Sequence, residues 1–177
     1  MKFTFAAVSA LLGATQAVWY PDGRQPTTDG FGSITNAFIP RLENLDLVID
    51  AAAGKRAHEL TNGFRKEEGL APVEWDDEIY QITIPHTRYM ANLGTINHDN
   101  FNERMRQLSY SWRTGAENVA YNYNKDDPGF KVVDQWKNSS GHRKNMLKDN
   151  VNREAVSAIR DTSNGRIYFT QMLVGKR

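Results

Sequence analysis

The stretch AVSAIRDTSNGRIYFTQMLV, residues 155–174, sets the fold class. Ala155 to Arg160 and Arg166 to Val174 have the β-branched, aromatic and apolar composition of extended segments. Between them Asp161-Thr162-Ser163-Asn164-Gly165 is a cluster of turn formers, which predicts a β-hairpin. Working upstream, Val119-Ala120-Tyr121 offers a third strand. The remaining text has helical period. From Leu45 to about Glu68, Val48, Ala52, Leu60 and Phe64 fall at helical spacings, and Gly69 supplies a stop. Gly54 weakens the middle of that helix and allows it to be two pieces. Asp76 is placed to cap a second helix, with Trp75 and Tyr80 as a hydrophobic staple. Its apolar face would be Ile79, Ile82, His86, Tyr89 or Met90, and Leu93, ended by Gly94. Pro85 lies inside it and should kink or split it. A short helix is expected from about Asn100 to Leu108. A fourth opens with Asp127 as cap and Pro128 in its first turn, followed by Phe130, Val133 and Trp136. Helices first and strands late imply an α+β fold, helices packed on an antiparallel sheet.

Composition narrows the chemistry. The 177 residues favour one domain and carry 22 Lys and Arg against 21 Asp and Glu, a balance that argues against nucleic-acid binding. The 19 aromatic residues argue against disorder. No cysteine is present, which removes disulfides, thiolate metal ligands and thiol nucleophiles. Residues 1–17 read as a secretory signal peptide: Lys2, the apolar run Phe3–Ala14, then Thr15-Gln16-Ala17. An N-terminal core helix is the blander reading of the same run, which is too short to span a bilayer. Residues 18–43, dense in Pro and Gly, read as an N-terminal arm, and 44–177 as the folded domain. A soluble, secreted, extracellular product is expected.

Chemistry must then rest on His, carboxylates and hydroxyls. His58 lies on a polar helix face and reads as solvated. His86, on the apolar face of the second helix, reads as a core histidine with one hydrogen bond. His98, in Asn97-His98-Asp99, and His142, in Ser139-Ser140-Gly141-His142, read as lying outside helices, where site residues are common. Glu117, in Gly115-Ala116-Glu117-Asn118, is a cap or solvated carboxylate unless the fold gathers it with His98 and His142. Those three together would suit a divalent cation such as zinc. Spacing alone does not establish that meeting.

A set of short motifs, in order, carries a resemblance. Leu60-Thr61-Asn62-Gly63-Phe64-Arg65 and Gly69-Leu70-Ala71-Pro72-Val73-Glu74-Trp75-Asp76 come first, with Met90-Ala91. They are followed by His98-Asp99-Asn100-Phe101-Asn102-Glu103-Arg104 and Ala116-Glu117-Asn118-Val119-Ala120. Val132-Val133-Asp134-Gln135-Trp136, Ser140-Gly141-His142-Arg143-Lys144-Asn145-Met146-Leu147 and Tyr168-Phe169-Thr170-Gln171-Met172 complete the set. Spread over residues 45–174, they resemble the CAP superfamily, also called SCP: cysteine-rich secretory proteins, antigen 5 and pathogenesis-related 1 proteins. The resemblance implies a three-layer α-β-α sandwich with a central antiparallel sheet. It implies that His98, Glu117 and His142 face a shared cleft able to bind a divalent metal, here weakly, with Asn118, Ser139 and Trp136 lining it. Departures are the missing disulfides and Ser139 where longer members carry a glutamate, a spacing shared with compact members. Thr61 replaces a histidine, Ala116 a glycine, Arg153-Glu154-Ala155 a glycine-bearing segment, and Pro85 a helix-continuing residue.

Three functions are compatible with this reading. The first is a secreted, non-enzymatic binding protein for a lipid or sterol, with Tyr110, Trp112, Tyr121, Tyr123, Phe130 and Trp136 as pocket or core aromatics. The second is a metal-dependent hydrolase or protease with Glu117 as general base, or a Ser139/Ser140–His142 arrangement. The third is an extracellular module contacting another protein or a host component. Asn138-Ser139-Ser140 is the one N-glycosylation sequon; burial would leave it unmodified.

Overall fold

The computed structural model describes residues 46–177; the expected signal peptide and N-terminal arm lie outside the described residues. Strands β1 (Leu47–Ile49), β2 (Glu74–Trp75), β3 (Trp112–Asn122), β4 (Arg153–Asp161) and β5 (Ile167–Lys176) form one sheet. Its order is β1-β4-β5-β3, with β2 also pairing to β4. All pairings are antiparallel except the two-residue β2–β4 contact. Helices α1 (Ala51–Glu67), α4 (Pro128–Lys137) and α5 (Ser140–Met146) contact one another or one side of the sheet, and α2 (Asp77–Leu93) packs on β4 and β5. The short α3 (Phe101–Arg106) completes the order. This is the three-layer α-β-α sandwich.

The hairpin forms as its turn chemistry dictates. Asp161 Oδ1 accepts from the Ser163 N–H at 3.0 Å, and the Gly165 N–H donates to Asp161 O at 2.8 Å. β5 is paired on both sides and buried along nearly its whole length. Across it, Phe169 joins Ala120, Ala158, Val132, Val133 and Trp136 in the core beneath α1 and α4.

Caps fix the helix starts. Asp76 Oδ1 accepts from the Glu78 and Ile79 amides at 3.0 and 3.3 Å, and the Trp75 and Tyr80 rings meet at 5.2 Å. Asp127 Oδ1 accepts from the Phe130 amide at 2.9 Å, with Pro128 opening α4. Gly69 and Gly94, at φ +74° and +71°, close α1 and α2 in the left-handed region.

Several expectations are corrected. Residues 47–49 form a strand, because their backbone pairs with Ile159, Arg160 and Asp161; the helix starts only after Asp50, whose Oδ1 accepts from the Ala53 amide at 3.0 Å. The helix is one piece. Gly54 is there because a Cβ would collide with Val156 O on β4. α2 runs through Pro85 as a single element, and its buried face is Ile79, Thr83, Thr87 and Met90, leaving Tyr89 and Leu93 exposed. Thr87 Oγ1 donates to Thr170 Oγ1 at 2.7 Å and lies 2.6 Å from Ser157 Oγ, so a hydroxyl cluster seats this helix on the sheet.

Candidate functional site

Alternation along β3 sends Glu117 and Asn118 to opposite faces of the sheet. Glu117 is buried, its side chain 2% exposed, against Arg104 of α3 at 6%. Its Oε2 accepts from Arg104 Nε at 3.0 Å and from a terminal guanidinium nitrogen at 2.6 Å. Its Oε1 accepts from His98 Nδ1–H at 2.8 Å. His98 is itself 55% exposed, so a buried carboxylate holds one ring nitrogen and leaves Nε2 available. Arg104 also donates to Asp99 O at 2.6 Å, tying the His98 loop to the same ion pair.

Asn118 builds the other side. It donates to His142 O at 3.1 Å and Gln171 Oε1 at 2.7 Å, while its Oδ1 accepts from Asn145 at 2.9 Å. Gln171 continues to Thr61 Oγ1 at 3.1 Å and to Glu154. Glu154 accepts from His58 Nδ1–H at 2.7 Å, and Asn62 faces His58 Nε2 at 3.3 Å. An unbroken polar chain thus crosses from α5 to α1 beneath the sheet face. His58 is therefore a member of a buried network and not the solvated residue its helical neighbours suggest. Thr61 and Glu154, both departures from the family pattern, are two of its links.

His142 lies inside α5, in its first turn, correcting the expected loop placement. Ser139 occupies the cap position without a side-chain cap bond. Burial, and secondarily the charge of His98, hold the His142 pKa below the ordinary imidazole value. His98 is thus near enough for its charge to act on His142. His86 is the core histidine expected, donating from Nε2 to Asn97 O at 3.0 Å. Burial first and Arg104 second depress its pKa, with Glu117 opposing.

Zinc takes imidazole nitrogen and carboxylate oxygen. His98 and His142 are suitable donors. Glu117 has both oxygens engaged, and acting as a ligand it would exchange one of those bonds. Among the described residues, no group of three or more His, Cys, Asp or Glu side chains is arranged to hold a metal ion.

Beside His142 lies a cavity of about 670 Å³ between β3, α4 and Ile96. Val119, Ala120, Tyr121, Trp136 and Ile96 make it chiefly apolar, and Ser139 and His142 add polar groups. Trp136 and Ser139 line it, whereas Asn118, Glu117 and His98 do not. Tyr121 and Tyr123 line it too, whereas Tyr110, Trp112 and Phe130 do not. Arg104, Asn145, Gln171 and Glu154 were not singled out from sequence; of these, only Arg104, Asn145 and Gln171 fall in the quoted motifs. Asn138 is exposed, so burial does not protect the sequon.

Comparison with known proteins points one way. The cysteine-rich secretory protein family, CAP, matches residues 58–173. An uncharacterized membrane protein of Bacillus subtilis, YlbC, is 29% identical over 131 residues, 71% of this chain and 35% of the relative. The chain therefore spans about a third of that relative's length. Among solved structures, an outer surface protein of Borrelia burgdorferi superposes with TM-score 0.65 at 17% identity, covering 74% of this chain and 98% of that one. An extracellular SCP-domain protein of Bacillus anthracis gives 0.58 at 23% identity, covering 70% and 40%. No helix among the described residues is long and apolar enough to cross a membrane.

Proposed function

The chain belongs to the cysteine-rich secretory protein (CAP) family, and from that premise we propose that it is a secreted, non-enzymatic binding protein for a lipid or sterol. The observation that carries this reading is the cavity of about 670 Å³ walled by Val119, Ala120, Tyr121 and Trp136. Small-molecule sites occupy about 300–1,000 Å³ and are mostly apolar with a few polar groups, which is the composition here. Ile96 and Tyr123, both exposed, line the cavity and leave apolar surface for a ligand to cover. An extracellular location is supported by the signal-peptide reading of residues 1–17 and by the extracellular and outer-surface proteins that share the fold.

A divalent cation, zinc by donor chemistry, would be held by His98 and His142, with Glu117 orienting the His98 ring. Such a cation would supply a Lewis acid at the cavity rim. The residues themselves hold His98 in one tautomer, Nδ1–H toward Glu117, with Nε2 outward. That same geometry supports hydrolysis as a second reading, since a carboxylate-held imidazole is built like a general base.

Lipid mass spectrometry on the protein purified from a eukaryotic secretion host tests the first reading. A stoichiometric sterol or acyl lipid, absent from a mock purification, is expected. Ligand-free protein that also takes up no added sterol or fatty acid would overturn it.

A further inference from the structure

Asn138-Ser139-Ser140 lies at the corner between α4 and α5. Asn138 caps the end of α4, and Ser139 is extended, at φ −107° and ψ 120°, before α5 begins at Ser140. The acceptor asparagine is therefore outside the interior of either helix. Asn138 and Ser140 are both exposed. The fold asks little of these side chains. Asn138 donates from Nδ2 to Asp134 O at 2.9 Å and to Asp134 Oδ1 at 3.1 Å, both of them exposed contacts. Asp134 O also accepts from the Asn138 main-chain N–H at 3.1 Å. The amide can therefore give up one of its two hydrogens, keep its bond to Oδ1, and leave Asp134 O still partnered. Ser139 stands at the cap position of α5 without a side-chain cap bond. Helix capping, the structural role that serines before Gly141-His142 suggest, is thus not what Ser139 does here.

Resting on the secretory reading of residues 1–17, we propose that Asn138 is a glycan acceptor: in a eukaryotic secretory lumen its Nδ2 takes an oligosaccharide from a lipid-pyrophosphate donor. A bond forms between Nδ2 and the anomeric carbon of the donor sugar. The bond from that carbon to the pyrophosphate oxygen breaks, Nδ2 gives up one proton, and the lipid pyrophosphate leaves. The Ser140 hydroxyl, two residues on, is the other half of the acceptor motif. Exposure in the finished fold keeps the amide reachable after folding, and the helix corner leaves room for a bulky, solvated group. Trp136 and Ser139 line the neighbouring cavity whereas Asn138 does not, so the glycan stands beside that cavity and leaves its interior unchanged.

The test is expression of the full chain in a eukaryotic secretion host, with intact-mass measurement before and after peptide-N-glycosidase treatment in ¹⁸O water. The mass of one glycan is expected, removed by the enzyme to leave an ¹⁸O-labelled aspartate at position 138. Asn138→Gln and Ser140→Ala should each abolish the added mass. Ser140→Thr should keep it, as should Ser139→Ala at the free position of the motif. A second preparation carries an established secretion leader in place of residues 1–17, so that the acceptor is read independently of the native leader. Chain retained in the cell with its own leader, yet modified behind the other, overturns the secretory reading and upholds the acceptor. Chain that reaches the medium with Asn138 unmodified overturns the proposal and leaves the secretory reading intact. Added mass that survives Asn138→Gln also overturns it.

Discussion

The Arg104–Glu117 pair offers the sharpest test of how the cleft is held. Replacing Arg104 by Met leaves a carboxylate only 2% exposed with His98 as its remaining partner, and also releases the bond to Asp99 O. Breaking a buried ion pair from one side costs about 3–5 kcal/mol, because the surviving charge stays buried. With a urea dependence of about 2 kcal/mol/M, a loss of about 4 kcal/mol moves the unfolding midpoint by about 2 M. Glu117→Gln should cost a similar amount by stranding the guanidinium. The double variant, Arg104→Met with Glu117→Gln, removes both charges and should cost clearly less than the two singles together. Urea unfolding followed by circular dichroism on all four proteins closes the cycle. Additive single effects would refute the view that Glu117 is held chiefly by Arg104. The carboxylate would then be secured by His98 and its surroundings instead.

Two further outcomes follow from the packing. His86 and His142 both have depressed pKa values in the fold, so the unfolded chain binds more protons below its imidazole pKa of about 6.5. Stability from these groups is complete above that value and is lost as pH falls below it, toward the lowered folded values; urea midpoints from pH 7.5 to 5.5 should decline, and His86→Gln should flatten the decline, whereas an unchanged slope would count against His86. Gly54→Ala should destabilise by about 1–3 kcal/mol despite the better helix former, because the methyl meets the Val156 carbonyl; a melting temperature equal to or above wild type would refute the close approach.

What could be read from sequence was the information that is local. Asp76, Asp127, Gly69 and Gly94 act on residues a few positions away, so the ends of the long helices were legible, as was the hairpin around Asp161–Gly165. β1 was misread because three residues become a strand only through β4, more than a hundred positions later. His58 looked solvated among Lys55, Asn62 and Arg65, and nothing nearby announces that Glu154 will meet it. The same reason hid Arg104: its role exists only where α3 meets β3. Family resemblance pointed to His98, Glu117 and His142 as a shared cleft, yet not to the guanidinium that occupies the glutamate.

The order of the sheet also bears on how such a chain is made. Its middle is β4 and β5, the last two elements along the described fold, while β1, β2 and β3 sit outside them. A polypeptide emerging amino-terminus first therefore exposes its helices and outer strands before any central strand exists to receive them. The core beneath α1 and α4 needs Phe169 and Ile167, and the Asn118 relay needs Gln171. The sheet therefore cannot be completed until β5 has been synthesised.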